Sequence, residues 1–293
     1  MANFAPAILA PMSAPFYQLL DAAIEHLQSL RARGIRFVPL EVETLRALSG
    51  AAPGRNIEHR TLNVEQRTTT EVTTPPPVLN PQPSTLNPDK AQAMAELRER
   101  AMQCVKCAHL ASARTNVVFG VGSIDAELMF VGEAPGADED LQGEPFVGLA
   151  GQTLTKMIKA MGFSREQVYI ANILKCRPDM PAGSSGNRKP TPEEMQTCIP
   201  YLHAQIDLIQ PKVLVALGGT AVEGLLGKSG IMKLRGTWHT YRGIPLMPTF
   251  HPAYLLRNQS FTEKRKVWED LLAVMEKLEL PINEKQRGYF LKA

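Results

Sequence analysis

Four short apolar runs constrain this chain most: Leu128–Val131, Val168–Leu174, Lys212–Leu217 and Ile244–Phe250. Each is the length of a buried strand. Helical patterns separate them. Leu154, Met157, Ile158 and Met161 recur at helical spacing after the first run. Thr191-Pro192-Glu193-Glu194 reads as an N-cap with proline at the first helical position. It opens a helix that carries Cys198 and continues, or restarts after Pro200, through Ile209. Ala221–Leu226 begins another helix, and a last one is expected from about Glu263 to Leu278. Strands alternating with helices imply an α/β fold, a parallel sheet covered on both faces.

The first 50 residues read as a small helical module. Leu19, Leu20, Ala23, Ile24, Leu27 and Leu30 line one side of a helix over Phe16–Arg33, and Gly34 is a plausible stop. Ile35–Leu40 is expected as a short strand and Glu41–Leu48 as a second helix. So small a module suits docking to another protein better than catalysis. Residues 51–88 change character, with Thr68-Thr69-Thr70, Thr73-Thr74-Pro75-Pro76-Pro77 and Pro81-Gln82-Pro83-Ser84. They leave little to bury, so a disordered linker is expected. Residues 89–293 then form the main domain, entered by a helix over Asp89–Gln103.

The bulk numbers narrow the class. The chain has 293 residues, 44% hydrophobic, enough for a substantial core. A formal charge of +3 is compatible with a nucleic-acid partner and does not require one. No apolar run reaches the length of a membrane span. The N-terminal MANFAPAILAPMSAPF lacks a basic leader and is cut by prolines, so neither a signal peptide nor an anchor is read, and a cytoplasmic location is expected.

The first apolar run breaks at Gly132-Glu133-Ala134-Pro135-Gly136, a strand-to-loop turn with glycines flanking a carboxylate. In open α/β sheets, ligands sit beyond the carboxyl ends of strands, where Glu133 would stand. Phe146 follows, held between Pro145 and Val147. A carboxylate and an aromatic over one crevice suggest a flat polar ligand and acid/base or electrostatic chemistry.

The chain contains four cysteines: the pair Cys104 and Cys107, then Cys176 and Cys198 on either side of a proline-rich loop. Four could form two disulfides, but without an export signal a metal site is the better reading. A C-x-x-C pair places two thiolates on one ion or cluster. Zinc and an iron–sulfur cubane both take four thiolates, and spacing does not separate them.

Five ordered motifs give the chain a resemblance: GEAPG (Gly132–Gly136), GEPFVGLAG (Gly143–Gly151), ANILKCRP (Ala171–Pro178), PKVLVALG (Pro211–Gly218) and TFHPAYLLRN (Thr249–Asn258). With the four cysteines, the region Ala95–Leu278 resembles family 4 of the uracil-DNA glycosylases, the iron–sulfur branch. The resemblance implies a three-layer α/β/α sandwich around a four-stranded parallel sheet. It implies a monofunctional DNA-repair enzyme that flips uracil out of single- or double-stranded DNA and hydrolyses its N-glycosidic bond, leaving an abasic site. It also implies a [4Fe–4S] cluster on Cys104, Cys107, Cys176 and Cys198, and a monomer.

The roles it implies are as follows. Glu133 matches the carboxylate that positions water and stabilises the cationic sugar. Phe146 matches the aromatic that stacks on the flipped base, and Asn172 the amide that reads the N3–H and O4 edge. His251 matches the donor to uracil O2. Glu139 is expected near C5, where it would disfavour thymine's methyl group. Leu255, Leu256 and Arg257 match the minor-groove wedge. These residue types suit the chemistry: a base in a duplex must be extruded to be reached, and stacking offsets part of the unstacking cost.

Three departures stand beside the resemblance. The residues before Ala95 have no counterpart in the minimal family enzyme. The loop Asp179–Lys189 is longer than usual. A related branch that traps DNA covalently carries a histidine in an inserted basic loop, and MPAGSSGNRKP at this place has none, so trapping is not expected. Two other classes compete with the glycosylase: a non-catalytic nucleic-acid-binding module with a structural metal, and an electron-transfer protein. Glu133, Asn172 and His251 together favour the enzyme.

Overall fold

The computed structural model describes residues 88–180 and 186–291. The expected N-terminal module, and the expected linker up to residue 87, lie outside the described residues.

The described chain opens with α1 (Pro88–Met102) and α2 (Ala108–Ala113), then β1 (Val121–Gly122) and β2 (Leu128–Gly132). Next come α3 (Ala137–Gln142), α4 (Leu149–Ala160), β3 (Tyr169–Asn172) and α5 (Pro192–Ile209). They are followed by β4 (Val213–Leu217), α6 (Gly219–Leu226), α7 (Ile231–Leu234), β5 (His239–Tyr241) and β6 (Ile244–Thr249). The chain then forms α8 (Pro252–Arg257), α9 (Phe261–Lys277) and α10 (Glu284–Gly288).

All four expected runs form strands, β2, β3, β4 and β6, and they pair in parallel in the order β3-β2-β4-β6. The expectation of a four-stranded parallel sheet needs correction. Among the described residues the sheet has six strands, order β1-β3-β2-β4-β6-β5, and both edges are antiparallel. Val121–Gly122 is too short to show a period. His239–Tyr241 is polar and only partly buried, so neither edge strand carries a buried-strand signature. The β5–β6 turn uses Arg242 and Gly243, both at positive φ (51° and 81°). That pair fits a tight hairpin, but arginine is not a usual signal for one.

Strand alternation divides the core in two. Met129, Val131, Leu214, Ala216 and Leu246 meet Leu97 of α1, Leu202 and Ile206 of α5 and Val222 of α6. Leu128, Phe130, Val213, Val215 and Met247 meet Leu154 and Ile158 of α4 and Trp268 and Leu271 of α9. Successive residues of a strand point to opposite faces, so each fully apolar strand feeds both clusters. Helix α5 starts as expected: Thr191 Oγ1 accepts from the Glu194 amide while the Glu194 carboxylate accepts from the Thr191 amide. Pro200 lies inside it without ending it.

The chain leaves β2 for β3 on one side and returns to β4 on the other side of β2. The crevice beyond the carboxyl ends of β2 and β4 is therefore a topological switch point, where α/β sheets bind ligands.

Candidate active site and thiolate centre

Every parallel strand delivers a group to that crevice. Glu133 follows β2, Asn172 ends β3, Gly218 follows β4 and His251 lies just past β6. Gly132 and Asn172 are register partners across β2 and β3. A Cβ on Gly132 would lie 2.3 Å from Asn172 Oδ1 and 2.6 Å from Phe146 Cζ, so glycine forms the floor between amide and ring. A Cβ on Gly218 would lie 2.9 Å from the Cβ of His251. The Phe146 and His251 rings are 5.6 Å apart between centroids, tilted by 31°.

Asn172 is 2% exposed, and its Oδ1 has no hydrogen-bond partner. A buried carbonyl left unpaired costs about 1–3 kcal/mol unless a ligand supplies a donor. His251 Nδ1 accepts the Ala253 amide at 3.2 Å. Burial first, and then the Arg257 charge, hold its pKa down at about 4. The imidazole is therefore neutral at physiological pH, and because Nδ1 is an acceptor its proton sits on Nε2. Burial raises the Glu133 carboxyl, while a hydrogen bond from the Thr220 hydroxyl and the Lys189 ammonium pull it back.

Glu139, expected near uracil C5, has its carboxylate held by three backbone amides, Gly136 at 3.0 Å, Val147 at 3.1 Å and Gly148 at 3.2 Å. It ties the loop after β2 to the loop that carries Phe146. Leu255 was expected in the wedge with Leu256 and Arg257. It is 9% exposed and belongs to the core, whereas Leu256 and Arg257 are exposed. Successive helical residues point about 100° apart, so a six-residue helix docked on its Leu255 side turns Leu256 outward.

The four cysteines converge on one small cavity, joined by Leu110, Arg114, Leu174 and Thr197. None is in a disulfide. Arg114 Nη1 lies 3.1 Å from Cys176 Sγ, and the Lys175 amide donates to Cys198 Sγ at 3.2 Å. Burial, and then Cys176 and Cys104, push up the thiol of Cys107; burial raises that of Cys176 against the opposing Arg114, and burial takes Cys198 to about 11. Four converging sulfurs with two N–H donors turned to them fit a four-thiolate centre. A second grouping, His109, Asp179 and Glu194, is built around a cation of its own. The Arg188 guanidinium pairs with Asp179 and with Glu194, the latter at 2.6 Å, so these acids form an ion-pair network.

Two neighbours were not singled out from sequence. Lys175, buried, donates from Nζ to the Asn172 carbonyl at 2.8 Å and to Gln205 Oε1 at 2.6 Å. Thr220 partners Glu133. Thr220 follows the glycine pair closing β4, and a hydroxyl at a strand end was the signal available for it. A buried lysine between two polar acceptors leaves no pattern in the sequence.

The profile of the uracil DNA glycosylase superfamily matches residues 119–272. A type-4 uracil-DNA glycosylase of Thermotoga maritima is 46% identical over 188 residues, 62% of this chain and 93% of the relative. One of Sulfurisphaera tokodaii is 40% identical over 209 residues, 68% of this chain and 90% of the relative. A type-5 uracil-DNA glycosylase of Pyrobaculum aerophilum is 27% identical, over 53% of this chain and 80% of the relative. The fold and crevice thus define an α/β glycosylase of the uracil-DNA glycosylase superfamily. Within it, the chain belongs to the type-4 uracil-DNA glycosylases, which remove uracil from DNA as N-glycosyl hydrolases.

Proposed function

We infer that the crevice of Glu133, Phe146, Asn172 and His251 is where this glycosylase holds a uracil flipped out of DNA and hydrolyses its N-glycosidic bond. The observation that carries the reading is the unpartnered Oδ1 of buried Asn172, facing Phe146 across Gly132. Uracil N3–H is the donor that oxygen lacks, and the amide N–H of the same side chain suits O4. Cytosine offers an acceptor at N3 and a donor at C4, which would leave buried groups unpaired, and that mismatch is costly.

Phe146 stacks on the extruded base, and Gly132 leaves room for the base to lie flat. As the bond to the sugar lengthens, negative charge gathers on the uracil. The neutral His251 donates Nε2–H to O2, and a preorganised donor is worth most at that stage. Glu133, ionised, faces the cationic sugar and orients the water that adds to it. The product is free uracil and an abasic site. Leu256 and Arg257 project from α8 and fill the gap left by the base. Arg257 also holds His251 in its neutral form.

Cys104, Cys107, Cys176 and Cys198 hold a [4Fe–4S] cluster in this reading. The complete use of the cysteines at one place and the type-4 relatives support it. The cluster staples the entry region around α1 and α2 to the segment after β3. The reaction itself runs on side chains of the crevice.

The test is release of free uracil from a defined uracil-containing oligonucleotide, beside the same strand with cytosine. Asn172→Ala should lose excision by two decades or more, in line with an unpaired buried polar group. Unchanged discrimination in that variant would remove Asn172 from the pocket.

A further inference from the structure

Phe146 has a left-handed backbone, φ 54°, uncommon for a bulky residue. A conformation of that kind persists only where its surroundings over-determine it. Here it is clamped from both sides. On the far side the Glu139 carboxylate takes the amides of Val147 and Gly148. On the near side Arg165, from the α4–β3 connection, donates Nη2–H to the carbonyl of Pro145. Its Nη1 lies 3.5 Å from Thr155 Oγ1, which itself donates to the Gly151 carbonyl at 2.9 Å. Gly151 matters for the same loop: a Cβ there would fall 1.8 Å from the Phe146 carbonyl oxygen. Glu144, Glu166 and Glu139 are the carboxylates that face the guanidinium, which is partly buried and lines a pocket with Val121, Gly122 and Ser123.

We propose that Arg165 is a positioning residue for base capture: by gripping the Pro145 carbonyl it locks Phe146 in the backbone conformation that presents its ring to the flipped uracil. Arg165 touches neither base nor sugar and acts through the ring alone. The inference rests on the pocket reading above. It differs from a general stabilising role because its effect must vanish when the ring is gone. It differs from a catalytic role because the loss must fall on capture of the base rather than on bond cleavage.

The experiment is a double-mutant cycle on the full chain with a uracil-containing oligonucleotide, read as half-saturating substrate and saturated single-turnover rate. Arg165→Ala should raise the half-saturating concentration about tenfold, within the range of a lost base–aromatic stack, with the saturated rate held to within about threefold. Arg165→Lys, which can still donate to one carbonyl, should recover most of that loss. In a Phe146→Ala background, Arg165→Ala should change excision by less than about twofold, since residues acting as a unit are not additive. A further tenfold loss in that background overturns the proposal, as does a normal half-saturating concentration in Arg165→Ala beside a defective Phe146→Ala. A Phe146→Ala enzyme with full activity would instead overturn the pocket reading, and this inference with it.

Discussion

Gly132 and Asn172 sit opposite each other in neighbouring parallel strands, and the amide oxygen of one stands 2.3 Å from where the other would carry a Cβ. The proposed base pocket therefore has a floor set by backbone, with no side chain to move aside. Gly132→Ala should push both Asn172 and Phe146 from their places. Overpacking of this kind costs about 1–3 kcal/mol, which a folded domain survives. Uracil excision should fall at least about tenfold, while affinity for undamaged DNA, carried by phosphate contacts, stays unchanged. Excision kinetics beside a binding titration check both halves.

The pH dependence follows from the two titrating groups. Burial raises the Glu133 carboxyl above its usual 4.5, and the charge of Lys189 opposes that rise. His251 is held at about 4 and stays neutral above that. The single-turnover rate should therefore rise with pH through the raised Glu133 pKa and then level off. Lys189→Met removes the opposing charge, so it should move this limb to higher pH. A pH–rate profile of wild type, Lys189→Met and Glu133→Gln checks the assignment, because the limb must be missing from the last.

Glu194 joins the start of α5 to the Arg188 network. Its side chain is 4% exposed, and the Arg188 hydrogen bonds hold its pKa down at about 2. A carboxyl depressed in the fold contributes stability that is present above its unfolded pKa and lost as pH falls towards the folded one. Glu194→Gln should destabilise the domain by about 3 kcal/mol at neutral pH, the lower end for breaking a buried pair, because Arg188 is partly exposed. Denaturant unfolding at pH 7 and pH 3 should show the variant's deficit shrinking at the lower value.

The four thiols predict a brown protein when purified without oxygen, with about four irons per chain. Stoichiometric zinc with no visible absorbance would identify a tetrahedral zinc site on the same cysteines instead. Cys104→Ser should lower thermal stability more than it lowers the excision rate of the protein that remains folded, because the cysteines lie outside the crevice.

Much of this was legible in the sequence because buried parallel strands are apolar throughout. Leu128–Val131 and Lys212–Leu217 declare themselves, and Glu133 stands at the turn just beyond the first of them, whereas His251 was singled out only through the family resemblance. The edge strands did not declare themselves, since two residues at Val121–Gly122 carry no period and His239–Tyr241 is polar. Leu255 and Leu256 are equivalent as letters, and only the docking of α8 separates the buried one from the exposed one. Glu139 is recognisable as an acid near the site. That its carboxylate is taken by three amides depends on how two loops meet, which no local pattern encodes.

Glu133 and His251 are assigned to the transition state rather than to ground-state binding. The direct measurement is single-turnover uracil release by Glu133→Gln and His251→Ala, with DNA affinity measured on the same folded proteins. Loss of one preorganised group of this kind costs about 2.7–4 kcal/mol, or roughly two to three decades in rate. The prediction is a loss of that size in both variants, with affinity for uracil-containing DNA nearly preserved. Near wild-type release by either variant would contradict its role, and by both would contradict the pocket.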